Sequence, residues 1–237
     1  MPAPDQIRLV IEEGQSEVSS SWGLLSDIEV SPRLDSLGPL PIGSTTIRAA
    51  AEELLLEAAL VAKPKAAWKL AHVERISDKT GTVRIGNIVF KSTLLSKNLN
   101  GLGRVFPFLA TEGGELAAWA ESLPLKKKTA GFLVRYAVLK EAERRTEDFL
   151  TANFGLKTIG AMCPGVLPDW PLTGQKQLFE LLSPLPEALG VALKLPAMWM
   201  SPDMSSSGLY FETEAQFHNC RLCPLDRCSM RRFEREG

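Results

Sequence analysis

The sequence predicts an α+β protein. Three observations carry that prediction. Strand-like and helix-like segments mix along the chain without a regular β–α–β alternation. A tight hairpin is written into Thr82-Val83-Arg84-Ile85 and Ile88-Val89-Phe90, which flank a Gly86-Asn87 pair. Strongly helical stretches stand apart from these strands, the longest from Thr129 to about Asn153.

The elements follow in order. Residues 1–44 read as an irregular N-terminal arm, broken by Ser19-Ser20-Ser21 and by the Pro32, Gly38, Pro39, Pro41, Gly43 series, with one short strand at Ile7 to Glu13. A helix starts at the Thr45-Thr46 cap, runs through IRAAAEELLLEAALVA to Lys63, and stops at Pro64. Ala67 to Ile76 reads as one strand, followed by a turn at Asp78 to Gly81 and the hairpin. A short helix is expected over Ser92 to Leu99. The compact apolar run Arg104 to Ala110 reads as a buried strand, and Glu115 to Ser122 as a helix. On the long helix, Phe132, Tyr136, Leu139, Ala142 and Phe149 share one stripe. Its later, charged part (Lys140, Glu141, Glu143, Arg144, Arg145, Glu147, Asp148) reads as that of a half-exposed helix, and Gly155 ends it. A stiff loop around Pro164, Gly165, Pro168 and Pro171 leads to a helix over Gln175 to Leu182, capped by Thr173. Short strands follow at Val191 to Leu195 and Ala197 to Met200. Ser205 to Phe211 reads as a turn entering a strand.

Composition excludes several classes. A hydrophobic share of 45% with 23% charged residues over 237 residues is that of an ordinary soluble globular protein, able to bury one large core or two small ones. The formal net charge of −1 offers no basic field to nucleic acid or anionic lipid. No apolar run reaches the roughly 20 residues of a membrane helix, and the opening MPAPDQIRLV lacks a secretory pattern. The expectation is a cytoplasmic protein with neither nucleic-acid nor membrane partners.

The cysteines are the chemical signal. Cys220, Cys223 and Cys228 sit in the tail HNCRLCPLDRC, and the fourth, Cys163, stands in a Met162-Cys163-Pro164-Gly165 turn. In a reducing compartment, clustered cysteines point to metal or redox roles. A C-x2-C-x4-C run with a distant fourth thiol suits a [4Fe–4S] cluster, and by count it suits structural zinc as well. The paired C-x2-C knuckles common in zinc sites are absent, since one such pair exists. His218 is an alternative fourth ligand, and a surface trio plus one core cysteine is the bland alternative. Arg227, Arg231 and Arg232 add positive charge beside the thiols, and a solvated basic end explains them equally well. With two histidines and no Ser/His/Asp pattern, hydrolytic acid–base chemistry has little support. No catalytic residue is assigned.

Three stretches resemble the reactivation domain family of cobalamin-dependent methionine synthase, in a stand-alone form. They are Lys65 to Ala110 with its run RIGNIVFKSTLLSKNLNGLGRVFPFLATEG, Cys163-Pro164-Gly165 through Asp169-Trp170-Pro171-Leu172 to the helix ending in Leu181-Leu182, and Met204-Ser205-Ser206-Ser207-Gly208-Leu209-Tyr210-Phe211. Together they cover about residues 45–212. The resemblance implies a twisted antiparallel sheet with flanking helices, and a role beside a corrinoid or corrinoid protein, where cob(II)alamin is reduced to cob(I). It implies cofactor-binding positions at Gly165, Ser207, Gly208 and Tyr210. The family's S-adenosylmethionine loop reads Arg-x-x-x-Gly-Tyr, and Ala161, Gly165 and Val166 stand at those positions here. Without the guanidinium, no bidentate partner awaits the ligand's carboxylate, which argues against S-adenosylmethionine. Residues 213–237, with three cysteines, lie beyond the resemblance as a separate cluster-binding tail. The expected function is reductive activation of a cobalamin through an iron–sulfur cluster. The alternative is a non-enzymatic corrinoid-binding or carrier module with a zinc site. Trp170, Trp199, Met198, Met200 and Met204 are read as core packing or, alternatively, as a surface for a tetrapyrrole-like ring.

Overall fold

β6 (Arg104–Thr111) is the strand around which the sheet is built. Every residue from Val105 to Thr111 is buried, so the strand is apolar on both faces, as the compact run in the sequence implies. The computed structural model describes residues 22–26, 28, 34, 45–77, 79–214, 217, 219–225, 228 and 234. The strand expected at Ile7 to Glu13 lies outside them, as do His218, Arg227, Arg231 and Arg232.

One edge of β6 pairs antiparallel with β2 (Lys65–Lys69) and β3 (Ala71–Ser77) laid end to end. They share one register: Lys65 faces Thr111, Trp68 faces Phe108 and Ala71 faces Val105. The single strand expected over Ala67 to Ile76 is therefore two, interrupted at Leu70. Past His72, β3 turns away to pair with β4 (Thr82–Ile85), which returns as β5 (Ile88–Lys91). Gly86 turns that hairpin at φ 54°, a backbone region that strains other residues. β1 (Trp22–Leu25) adds outside β2, so the N-terminal arm is not wholly irregular. Gly23 permits this, since a Cβ there would lie 2.6 Å from the Trp68 ring.

The other edge of β6 pairs with β10 (Ser205–Glu212), and β10 pairs in turn with β7 (Ile159–Met162). Ser205 to Ser207 belong to this strand and not to a turn, because their backbone groups pair with Leu109 to Thr111. β7 carries no strand signal in the sequence. Its Gly160 and Ala161 have low β propensity, and pairing with β10 overrides that. β8 (Ala192–Lys194) and β9 (Trp199–Ser201) form a separate hairpin.

Helices cover both faces. α1 (Thr45–Val61), α3 (Gly114–Ser122) and α4 (Lys128–Phe154) share a core of Leu54, Ala58, Leu116, Leu133, Val134 and Ala137. α4 meets the sheet through Leu139 and Ala142, against Ala66, Ala110 and Met204. Burying each such leucine contributes about 1.5–3 kcal/mol. Phe132 is not part of the buried stripe; it points to solvent, because α4 packs on α1 and α3 through Leu133, Val134 and Ala137. α4 ends at Gly155, at φ 65°. On the opposite face lie α2 (Thr93–Asn98), α5 (Gln175–Leu182) and α6 (Leu185–Leu189). α2 is capped twice: Ser92 Oγ accepts from the Leu95 N–H at 3.0 Å, and Asp169 accepts from the Leu94 N–H at 3.0 Å. Thr173 does not cap α5, since residues 172–174 form a 3₁₀ turn running into it and no side-chain cap bond is made.

A buried ion pair ties α4 to the end of β6. Glu112 is fully buried, and Arg135 Nε donates to both of its carboxylate oxygens at 2.9 Å. Asp203, itself exposed, also binds Arg135. Burial raises the Glu112 pKa to about 6 even with the guanidinium beside it.

Candidate functional site

Strand alternation decides what surrounds Cys163. On β10, Leu209 and Phe211 face the core shared with α5 and α6, while Gly208 and Tyr210 face α4. Cys163, the first residue after β7, lies on this second face with Phe108, Leu150, Leu156 and Tyr210. Gly208 makes room for it. A Cβ at Gly208 would sit 2.9 Å from the Cys163 sulfur and 2.5 Å from the Met162 carbonyl oxygen. Beside them the Phe108 and Tyr210 rings stack at 3.8 Å, with 19° between planes.

α4 presents charge to this pocket. Lys140, Glu143 and Glu147 recur at helical spacing and line one face. The Lys140 ammonium pairs with Glu143 and lies 5.3 Å from the centre of the Tyr136 ring. Burial opposes the charge on Lys140, but Glu143, Tyr136 and Cys163 together raise its pKa. Burial, reinforced by Glu143, pushes Glu147 up to about 7. Tyr210 donates to the Glu143 carbonyl oxygen at 3.5 Å and hydrogen-bonds the Glu147 side chain. Burial first, then Glu147 and Glu143, raises the Tyr210 phenol well above its ordinary value. The Cys163 thiol is pushed up to about 12, chiefly by burial and then by Glu143. A thiol so raised keeps its proton at neutral pH unless a metal ion displaces it.

The tail closes over this pocket. α7 (Asn219–Leu222) is a single helical turn, and the Asn219 side-chain amide donates to the Cys163 sulfur at 3.8 Å. Cys220 is the next residue, and Cys223 follows the turn. Asn219 Oδ1 and Ser206 Oγ are buried with no partner among the described residues. Unsatisfied buried polar atoms are costly, and the one at Asn219 lies on the residue that contacts the Cys163 sulfur. None of the four cysteines is in a disulfide, and all are partly buried. Among the described residues, no group of three or more His, Cys, Asp or Glu side chains is already placed to hold a metal. The structure thus brings the tail to Cys163 without closing a ligand shell.

The other expected site residues divide. Gly208 and Tyr210 face Cys163. Ser207 points to the opposite side of the sheet, where its Oγ is buried and unpartnered. Gly165 turns the loop at φ 80°, with Leu172 where a Cβ would go. Ala161 lies beside Cys163 on the aromatic core. The tryptophans and methionines do not form one surface. Trp170 is buried on the α5 side, Met204 on the α4 side, and Trp199 is exposed at 64%. His72 is exposed. Lys140, Glu143, Glu147 and Asn219 are the participants that sequence reasoning missed. The 140–143–147 spacing held the signal, but a half-exposed charged helix does not by itself say which other element its charges face. Two surface clefts, of about 410 and 370 Å³, lie elsewhere; the first is bordered by His72, Arg104 and Glu212, the second by Lys91, Asp169 and Gln177.

The crystal structure of the MetH reactivation domain bound to AdoHcy is similar to this chain, with a TM-score of 0.58 and 16% sequence identity, over 73% of this chain and 67% of that one. The likeness establishes the α+β fold of that domain here. No protein-family model matches the sequence, and no curated protein does. Among the described residues, no helix is long and apolar enough to cross a membrane.

Proposed function

We propose that this protein holds an iron–sulfur cluster through Cys163, Cys220, Cys223 and Cys228, and supports the reductive activation of a cobalamin from cob(II) to cob(I). The observation that carries the reading is the Asn219 amide on the Cys163 sulfur, which sets the residue before Cys220 against a mid-chain thiol. The buried Asn219 Oδ1, without a partner among the described residues, is an acceptor that a bound group could satisfy beside the sulfur; binding would have to displace the proton that burial holds on Cys163. When bound, a cluster of this type supplies a one-electron donor whose potential is set by local charge and hydrogen bonds. The chain's own residues do the rest. Gly208 and the stacked Phe108 and Tyr210 exclude water around the sulfur. Lys140 places a positive charge near it, which favours and offsets the negative charge of thiolate ligands. The corrinoid partner is inferred from the fold likeness to the MetH reactivation domain.

S-adenosyl ligands are left out of this reading. Ala161 offers no cation for a carboxylate, and the Cys163 sulfur packs into the space that Gly208 leaves. The test is an anaerobic preparation. A brown protein with about four irons and matching sulfide, whose reduced form converts cob(II)alamin to cob(I)alamin, supports the proposal. A colourless protein containing zinc overturns the electron-transfer role. It would leave the second reading, a corrinoid-binding or carrier module with a structural zinc, favoured by the same four thiols.

A further inference from the structure

The geometry points to Phe217 as a positioning residue: it clasps the tail across the free edge of β7 before any metal arrives. The inference concerns the site proposed above and rests on that reading only in naming the ligand as a metal. Among the described strands β7 pairs with β10 alone, so its outer edge is open. The tail straddles that edge. On one face, Phe217 meets Phe211 edge to face, with ring centres 5.3 Å apart and planes at 73°. Gly160 is the floor of this seat, for a Cβ there would lie 3.0 Å from Phe217 Cβ and 2.9 Å from the Phe211 ring. On the other face, two residues later, Asn219 reaches Cys163. Leu222 then returns to the core that Phe217 packs on. Two apolar anchors thus bracket the polar contact, and Cys220 lies between them.

The physical consequence is preorganisation. Bringing a flexible tail to a thiol far away in sequence costs loop-closure entropy. If the tail is clasped first, that cost is met by folding and is not charged against metal binding. Removing the Phe217 ring returns it.

The experiment uses the full chain in two states. In the metal-free protein, hydrogen exchange of the Leu222 and Cys223 amides, the ones a four-residue helical turn can hydrogen-bond, is compared for wild type, Phe217→Ala, Phe217→Leu and Gly160→Val. Wild type is expected to be protected and Phe217→Ala unprotected, with Phe217→Leu intermediate. Gly160→Val, which fills the seat from the strand side, should behave like Phe217→Ala. Anaerobic titration with cobalt(II) alone, followed by its thiolate absorption, should then show Phe217→Ala binding about tenfold or more weakly, with partial recovery in Phe217→Leu. Unchanged protection in Phe217→Ala overturns the inference, as does unchanged cobalt affinity. A wild type that binds no cobalt refutes the metal reading instead, and the exchange comparison then decides by itself whether Phe217 is the clasp.

Discussion

One helix, α4, carries two charged groups at its packed face that solve the same problem differently, one around a fully buried carboxylate and one partly buried. Near its start, Arg135 meets Glu112 with paired hydrogen bonds, and the second carboxylate, Asp203, stays in water at 64% side-chain exposure. Each buried charge has a partner, and the group pins α4 to the end of β6. One and a half turns later, Lys140 meets Glu143, but Glu147, Tyr210 and Cys163 crowd the same space, and all three are pushed toward their protonated forms. Asn219 Oδ1, beside Cys163, has no partner among the described residues. A structural ion pair closes its own accounts of charge and hydrogen bonds; the second group does not, and the proposed cluster site rests on that difference.

This contrast can be broken or sharpened by experiment. The largest effect should come from Cys163→Ser, which is expected to abolish stable metal loading while leaving the far-ultraviolet circular dichroism unchanged. Metal analysis of the anaerobically purified variant decides it, and full loading would mean that the second group is not a ligand site. Next, Arg135→Met should cost about 3–5 kcal/mol in urea unfolding, because it leaves the Glu112 charge buried without a partner. Metal content should not change, so a variant that loses metal but not stability would merge the two groups. Gly208→Ala is expected to cost about 1–3 kcal/mol, through overpacking against the Met162 carbonyl and the Cys163 sulfur. Its metal affinity should fall as well, measured by competition with a chelator.

The smallest effect is a pH slope in the metal-free protein. Glu147 has a folded pKa of about 7 against an ordinary 4.5, so the folded state holds the proton more tightly than the unfolded one. Stability should therefore fall as pH rises from about 4.5 to about 7. The groups facing Glu147 are Glu143, Lys140, Tyr210, Asp148 and the Cys163 thiol. Glu112 contributes with the same sign only up to about pH 6. The slope between pH 6 and 7 is thus the part that isolates Glu147. Glu147→Gln should remove it in denaturation curves taken across that range, and a persisting slope would locate the titration elsewhere.

Much of the fold was legible in the residues. The Gly86-Asn87 hairpin, the buried run at β6 and the end of α4 at Gly155 are local signals, set by turn geometry and by apolar burial. β7 was not legible, because Gly160 and Ala161 say nothing about strand until β10 supplies partners. The serine run at the start of β10 misled for the same reason. In the site, the thiols stood out by their spacing. Lys140, Glu143 and Glu147 were legible as part of a half-exposed helix, and they are partly buried, but their place beside Cys163 was not, since it depends on where the sheet lies. Trp199, by contrast, shows that a large aromatic can remain outside the core.

By itself, the sequence determined the α+β class, the order of most elements and the four sulfurs available for chemistry. Those follow from periodicity, turn residues and the reactivity of cysteine, all properties of short stretches. Tertiary structure alone decided that Cys163 lies opposite Gly208, that α4 turns two carboxylates and an ammonium toward it, and that Asn219 brings the tail alongside. Each of these joins residues far apart in the chain. Only the shared register of β6, β10 and β7, which sets which side chains point to which face, makes them neighbours.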